Sequence, residues 1–167
     1  ISYIAPLFIN VSKFDPNDVS YLMAFAGLGM FVGNFFGGKL ADKVRPVNAI
    51  LIVFSGMLVS LLLVHLFAEF KVATIVMTFF TGMMAFACAA PLQILVITTS
   101  EGSEMLAAAV SQASFNMANA LGAFLGGLPL IYGFGYTSPE FVGVAMVGTG
   151  ILLTTILIMR LNKQRVN

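Results

Sequence analysis

Residues 33–46 read GNFFGGKLADKVRP, and the reading of this stretch decides the fold. A glycine-rich apolar run ends here in Lys39, Asp42, Lys43 and Arg45, four of the fifteen charges (eight Lys and Arg, seven Asp and Glu) in 167 residues. On either side, residues 19–38 and 47–68 carry no Asp, Glu, Lys or Arg. Each run matches the roughly 20 residues that a helix rising about 1.5 Å per residue needs to cross about 30 Å of hydrocarbon. The charges therefore gather where the chain leaves an apolar layer and turns back into it.

The same pattern repeats along the chain. Residues 72–100 and 141–159 are uncharged runs of spanning length, and 105–139 is long enough for one span and a re-exit loop. Pro129 has no N–H to continue a helix, so the fifth span is expected to end there, with Tyr132 and Tyr136 at headgroup depth in an interfacial turn. The chain is 59% hydrophobic and 9% charged, against roughly 45–50% and about 25% in soluble domains, and its mean hydropathy is +1.00. These observations predict an all-α membrane protein with six transmembrane helices, at about 1–12, 18–40, 47–68, 72–99, 104–128 and 139–160. The first is too short to span and begins at Ile, so residues before Ile1 are expected to complete it; a cleavable signal peptide is not expected, since no basic segment precedes the apolar stretch.

If the spans alternate, Lys39, Lys43, Arg45, Arg160, Lys163 and Arg165 lie on one side and Lys13 and Lys71 on the other. Six cations against two place the 33–46 turn and the C-terminal tail in the cytoplasm. The net charge of +1 thus reflects topology and calls for no nucleic-acid partner.

Polar and small residues are unevenly spread among the spans. The second sets Gly29, Gly33 and Gly37 four apart, clearing one stripe for the close approach of another helix. A phosphate-binding loop is excluded there, since no strand precedes the glycines and no Gly-Lys-Ser/Thr follows. The fourth aligns Phe79, Met83, Phe86, Ala90 and Gln93 on one stripe, with Pro91 beside them to loosen the helix and free a carbonyl. Aromatic and thioether groups with one amide suit a partly apolar organic ligand; they also suit a packed helix interface.

The fifth span, SQASFNMANALGAFLGG at 111–127, puts Gln112, Asn116 and Asn119 on one face with Gly126, and Gly122 slightly to one side. Carboxamides at membrane depth need partners from other helices, water or a ligand. Asn119, beside the glycines, reads as an interhelical fastener, while Gln112 and Asn116 read as fasteners or as ligand groups. The third and sixth spans offer little beyond Ser, Thr and Gly and are assigned to the lipid-facing periphery, with His65 inert near the outer end of the third. Cys88, the single cysteine, reads as a small packing residue.

No charged residue lies away from the ends of an expected span, and one at the centre would cost about 2.5–3.5 kcal/mol. Neither a metal site nor a cofactor is expected, and the titrating carboxylate of any proton-coupled mechanism is expected outside this chain. An intramembrane serine protease needs a Ser nucleophile within reach of a His, and the one histidine lies at the end of a lipid-type helix. A self-sufficient six-helix channel would require a complete first span.

Gly38, Leu40, Ala41, Asp42 and Lys43 resemble the Gly-x-Leu-Ala-Asp-Arg/Lys loop signature of the major facilitator superfamily, which joins the second and third helices of each six-helix half. Val44, Arg45 and Pro46 depart from the x-Gly-Arg that follows it. SYIAPLFINVSKF, AAPLQILV and SQASFNMANALGAFLGG, followed by YGFGY, resemble the C-terminal half of proton-coupled drug and sugar efflux proteins of the arabinose efflux permease type, over essentially the whole chain. The resemblance implies half of a twelve-helix fold in a bacterial inner membrane, with the N-terminal six-helix half of the same polypeptide as partner and a proton gradient as driving force. It implies that the first and fourth spans line a central cavity, the second and fifth meet the other half, and the third and sixth face lipid. Tyr3, Phe79, Met83, Phe86 and Gln93 would then face a small organic substrate, with Gln112 and Asn116 at the cavity edge. Gly38, Asp42, Lys43 and Arg45 would gate the cytoplasmic side, Asp42 pairing with Lys43, Arg45 or a helix N-terminus of the other half. A facilitator or importer of the same fold is the alternative. The half by itself is expected to expose the glycine face of its second span and the carboxamide face of its fifth.

Overall fold

A computed structural model describes residues 2–166, with side chains described through Lys163; Ile1, from which the first span was counted, and the Arg165 side chain, one of the six orienting cations, lie outside the described residues. Seven α-helices and a 3-10 turn follow one another: α1 (Ile4–Asn10), the turn (Pro16–Asp18), α2 (Val19–Lys43), α3 (Pro46–Phe67), α4 (Lys71–Ala87), α5 (Ala89–Thr98), α6 (Glu104–Ile131) and α7 (Ser138–Val166). Five segments are long and apolar enough to cross a membrane: Pro16–Lys43, Pro46–Phe67, Lys71–Thr98, Glu104–Ile131 and Ser138–Lys163. The chain is a multi-pass membrane protein, and α4 and α5 together make its fourth span.

The charged stretch is helical where a loop was expected. α2 runs on through Lys39, Asp42 and Lys43, and only Val44 and Arg45 separate it from α3. Val44 is extended, at φ −130° and ψ 162°, yet its N–H still reaches the Leu40 carbonyl, and Pro46 opens α3 at a position where its missing N–H costs nothing. Lys39 and Lys43 lie near the negative end of the helix dipole, which offsets the interruption of the apolar run.

Lipid tails are as apolar as leucine, so these helices are held by close van der Waals fit and by hydrogen bonds rather than by burial from water. Both devices meet on α4. A Cβ at Gly29, Gly33 or Gly37 would run into the backbone carbonyl oxygen of Phe79, Met83 or Ala87, respectively, and one at Gly82 would lie 2.8 Å from the Ala26 oxygen. The numbers climb together on both helices, so α2 and α4 run parallel and in register, each α4 carbonyl over a glycine Cα, where weak Cα–H···O contacts form. This corrects the expectation that the glycine face of the second span is exposed. Gly29, Gly33 and Gly37 are all buried, and the exposed face of α2 carries Tyr21, Leu28, Phe31 and Phe35 instead.

On another side of α4, Thr74, Thr78 and Thr81 are buried. Ser60 of α3 and Thr81 share a 2.6 Å hydrogen bond, while Ser12 donates to the Ala68 carbonyl at 2.6 Å and Thr74 donates to the Phe70 carbonyl at 3.0 Å. Other hydroxyls bond back to their own helix, as Thr149, Thr155 and Thr154 do on α7, the last to the Gly150 carbonyl at 2.8 Å.

α3 is less peripheral than its composition suggested. Seven of its residues are buried, among them Ile50, Val53, Ser60 and Val64, because it packs against α4 on one side and α7 on the other. Phe54 rests on Gly150 and Leu61 on Gly143. At one end of the bundle Ile4, Leu7 and Phe8 of α1 pack with Val64 and Ala68; a second cluster of Val53, Ala87 and Cys88, packed against by Leu92 and Phe115, joins α3, α4, α5 and α6.

Two helix ends differ from expectation. α4 gives way to α5 at Cys88, three residues ahead of Pro91, which has no N–H to offer the Ala87 carbonyl. Pro129, in contrast, does not end α6, which continues to Ile131. So near the terminus the proline removes only one hydrogen bond, and the closing turn is tied instead by Tyr132 N–H to the Leu128 carbonyl and Phe134 N–H to the Pro129 carbonyl. Gly133 and Gly135, at φ 78° and 84°, then reverse the chain in a conformation that side chains disfavour.

Candidate functional site

α6 has the least buried face of the long helices. Gln112, Asn116 and Asn119 are all exposed on it, spread over about 10 Å at the helical rise. Their stripe runs beside Phe115, which packs into the cluster formed by Val53, Ala87 and Cys88. The carboxamides thus flank the seam where α6 meets α5, and among the described residues no hydrogen bond is made by any of their side chains. At membrane depth such groups remain available to a polar partner, each amide offering two donors and an acceptor.

The α4–α5 stripe is divided by the break at Cys88. Phe79 and Met83 are half-buried, and the Phe79 ring lies 5.1 Å from that of Phe25 on α2. Phe86 and Gln93 are exposed, on either side of the break. Tyr3 is placed differently from the rest. Its hydroxyl donates to the Ala123 carbonyl and its ring lies over Gly126 and Gly127, so α1 is joined to α6 through it. Gly126 owes its burial to that contact. Gly122 has open space around it and Asn119 is exposed. Neither fastens one helix to another among the described residues.

These residues form an exposed surface, not an enclosed pocket. Two open depressions occur elsewhere: one of about 530 Å³ at residues 102–109, and one of about 570 Å³ between α6 and α7, lined by Leu125, Pro129, Tyr132, Phe141 and Met146 among others. No residue predicted to face substrate lines either. At the other charged end, Lys39 extends its ammonium over the Phe35 ring, 4.3 Å from the centroid, while Gly38 is open and Asp42, Lys43 and Arg45 are exposed. The expected pairing of Asp42 with Lys43 or Arg45 is not formed among the described residues.

Sequence reasoning missed the threonine stripe of α4, although the spacing of Thr74, Thr78 and Thr81 was there to be read. It also missed Glu140. That residue lies in the first turn of α7, and its Oε2 is buried without a partner, as are His65 Nδ1 and Thr78 Oγ1.

The family model described as Major Facilitator Superfamily matches residues 1–167. AraJ of Escherichia coli (strain K12) is 31% identical over 135 residues, which cover 81% of this chain and 34% of that protein. "Uncharacterized MFS-type transporter YfhI" of Bacillus subtilis (strain 168) is 37% identical over 157 residues, or 92% of this chain and 38% of that one. "Probable sugar efflux transporter" of Helicobacter pylori is 30% identical over 147 residues, or 87% and 37%. The chain thus spans less than two-fifths of the length of these relatives. No solved structure matches it significantly.

Proposed function

The chain belongs to the major facilitator superfamily, and from that premise we propose that it serves a proton-coupled exporter of small organic molecules, drugs or sugars, in a bacterial inner membrane. One observation carries the reading: three carboxamides on α6, at membrane depth, are exposed and make no hydrogen bond among the described residues. Polar groups in such a place face protein or a water-filled cavity, because lipid would leave them unsatisfied. The relatives are more than twice as long as this chain, and the proposed occupant of the cavity's other wall is an N-terminal six-helix half. Rocking of two halves around a midplane site then alternates access. Efflux, rather than uptake, is favoured by the printed name of the Helicobacter relative.

Within this mechanism Gln112 and Asn116 bind hydroxyl or carbonyl groups of the substrate, and Phe79, Met83, Phe86 and Gln93 offer it an adaptable apolar wall. Tyr3, with its hydroxyl bonded to α6, positions that helix. No carboxylate stands on the stripe, so the proton-coupling acid is assigned to the other half. Asp42, an exposed acid at the C-terminal end of α2, is disfavoured there by the helix dipole by about 0.3–1 kcal/mol. It latches the cytoplasmic side by pairing with a group of the other half when that side closes.

Everted vesicles containing the full-length protein test the proposal. An imposed pH gradient, acid inside, is expected to drive substrate accumulation. Equilibration without accumulation would instead identify a facilitator. In the same vesicles Asp42→Asn is expected to change the accessibility of cysteines placed on the two sides of the membrane; unchanged accessibility and transport would remove the latch.

A further inference from the structure

Among the described residues, His65 and Glu140 each carry a buried polar atom with no hydrogen-bond partner, and helix register brings the two residues together. α3 and α7 run antiparallel, as the contacts of Phe54 with Gly150 and of Leu61 with Gly143 require. Seven residues along one helix correspond to seven in the opposite direction along the other. Three residues further along, Glu140 comes level with Val64 and His65. Glu140 also shares the stripe of Gly143, Val147 and Gly150, of which Val147 is buried and both glycines touch α3. The next residue, Phe141, stacks on the His65 ring, with centroids 4.2 Å apart and planes at 57°. An imidazole and a carboxyl therefore face one seam at the end of the bundle away from the Lys39 to Arg45 turn.

We propose that His65 and Glu140 form a clasp, one hydrogen bond from imidazole to carboxylate, that pins the start of α7 to the end of α3. The two helices are already packed on each other there, with the Leu61 and Phe54 side chains seated on Gly143 and Gly150. The clasp satisfies both unpaired atoms at once, in a place where water is scarce and each is costly to leave alone. The competing role for Glu140 is local. Thr137 and Glu140 have the spacing of a capping box, in which the carboxylate returns to the Thr137 N–H. A cap would make Glu140 useful whether or not residue 65 is histidine, whereas a clasp ties the two together.

A double-mutant cycle in the full-length protein separates the roles. His65→Leu and Glu140→Met are each expected to lower the thermal midpoint in detergent, and the double variant is expected to recover part of the loss, since an apolar pair leaves nothing unsatisfied. Additive losses would overturn the clasp and leave the cap. Where a single variant fails to accumulate, cross-linking decides. In a Cys88→Ser background, His65→Cys with Glu140→Cys is expected to form a disulfide in native membranes. His65→Cys with Val142→Cys is not, because Val142 lies about 200° around α7 from Glu140. Absence of the first cross-link, or equal yield of both, would overturn the proposal.

Discussion

A single methyl group discriminates between the glycines of α2. Gly33 lies under the Met83 carbonyl, and any Cβ there must push the helices apart, whereas Gly27 has nothing within 4 Å. Gly33→Ala is therefore expected to destabilise the protein by about 1–3 kcal/mol through overpacking, and Gly27→Ala to leave it within about 0.5 kcal/mol of the parent; thermal midpoints in detergent measure both. The glycine spacing was legible, but not which helix would fill the stripe, since Gly29, Gly33 and Gly37 accept any close neighbour. Exposed carboxamides behave differently. Asn116→Ala removes an exposed side chain that makes no hydrogen bond among the described residues, so folding is expected to be unchanged while the apparent affinity for substrate falls; an unchanged affinity in vesicle transport would take Asn116 out of the site. Gln112 and Asn116 were readable because an amide in an apolar run stands out. Glu140 was hidden at the first turn of a span, where a carboxylate looks ordinary.

At the scale of an element, the fourth span behaves as two rods. α4 is fastened along its length, by α2 glycines under its carbonyls and by Ser60 on Thr81. α5 begins after Cys88 and has Pro91 as its only buried residue. Replacing Pro91 by Ala supplies the N–H that the Ala87 carbonyl lacks and is expected to join the rods. Amide exchange over residues 88–93 should slow and transport should fall; exchange as fast as in the parent would show that the proline does not set the break. Ser60→Ala tests the fastening of α4 to α3. Interhelical hydrogen bonds in membranes average about 0.6 kcal/mol, so the expected loss is small, and it should shrink when Thr81→Val is already present, leaving only the Ser60 bond to the Met77 carbonyl. The position of the break was visible in Pro91, whereas the run of α6 through Pro129 was not. A proline interrupts a helix interior strongly, but close to the last turn few hydrogen bonds remain to be lost.

For the whole molecule, the unsatisfied surfaces lie on α2 and α6. Phe31 and Phe35 of α2 are 75% and 65% exposed, and Met117 and Phe124 of α6 are each 65% exposed, beside carboxamides that lipid cannot satisfy. Residues 1–167 alone are accordingly expected to be polydisperse in detergent, and co-expression with the proposed N-terminal half to yield a monodisperse particle; size-exclusion chromatography distinguishes the two. The sequence by itself determined where the five long apolar spans lie, the confinement of charge to their ends and the helical class, because hydrocarbon thickness and the cost of an unpaired peptide group act on every residue regardless of its neighbours. Family membership was equally legible, in Gly38 to Lys43 and the α6 motif. Only the tertiary structure decided that the α2 glycines face α4, that Tyr3 joins α1 to α6 and that His65 meets the first turn of α7. Those outcomes depend on which helices are neighbours and in what register, and a face that is apolar or small is compatible with many partners until packing selects one.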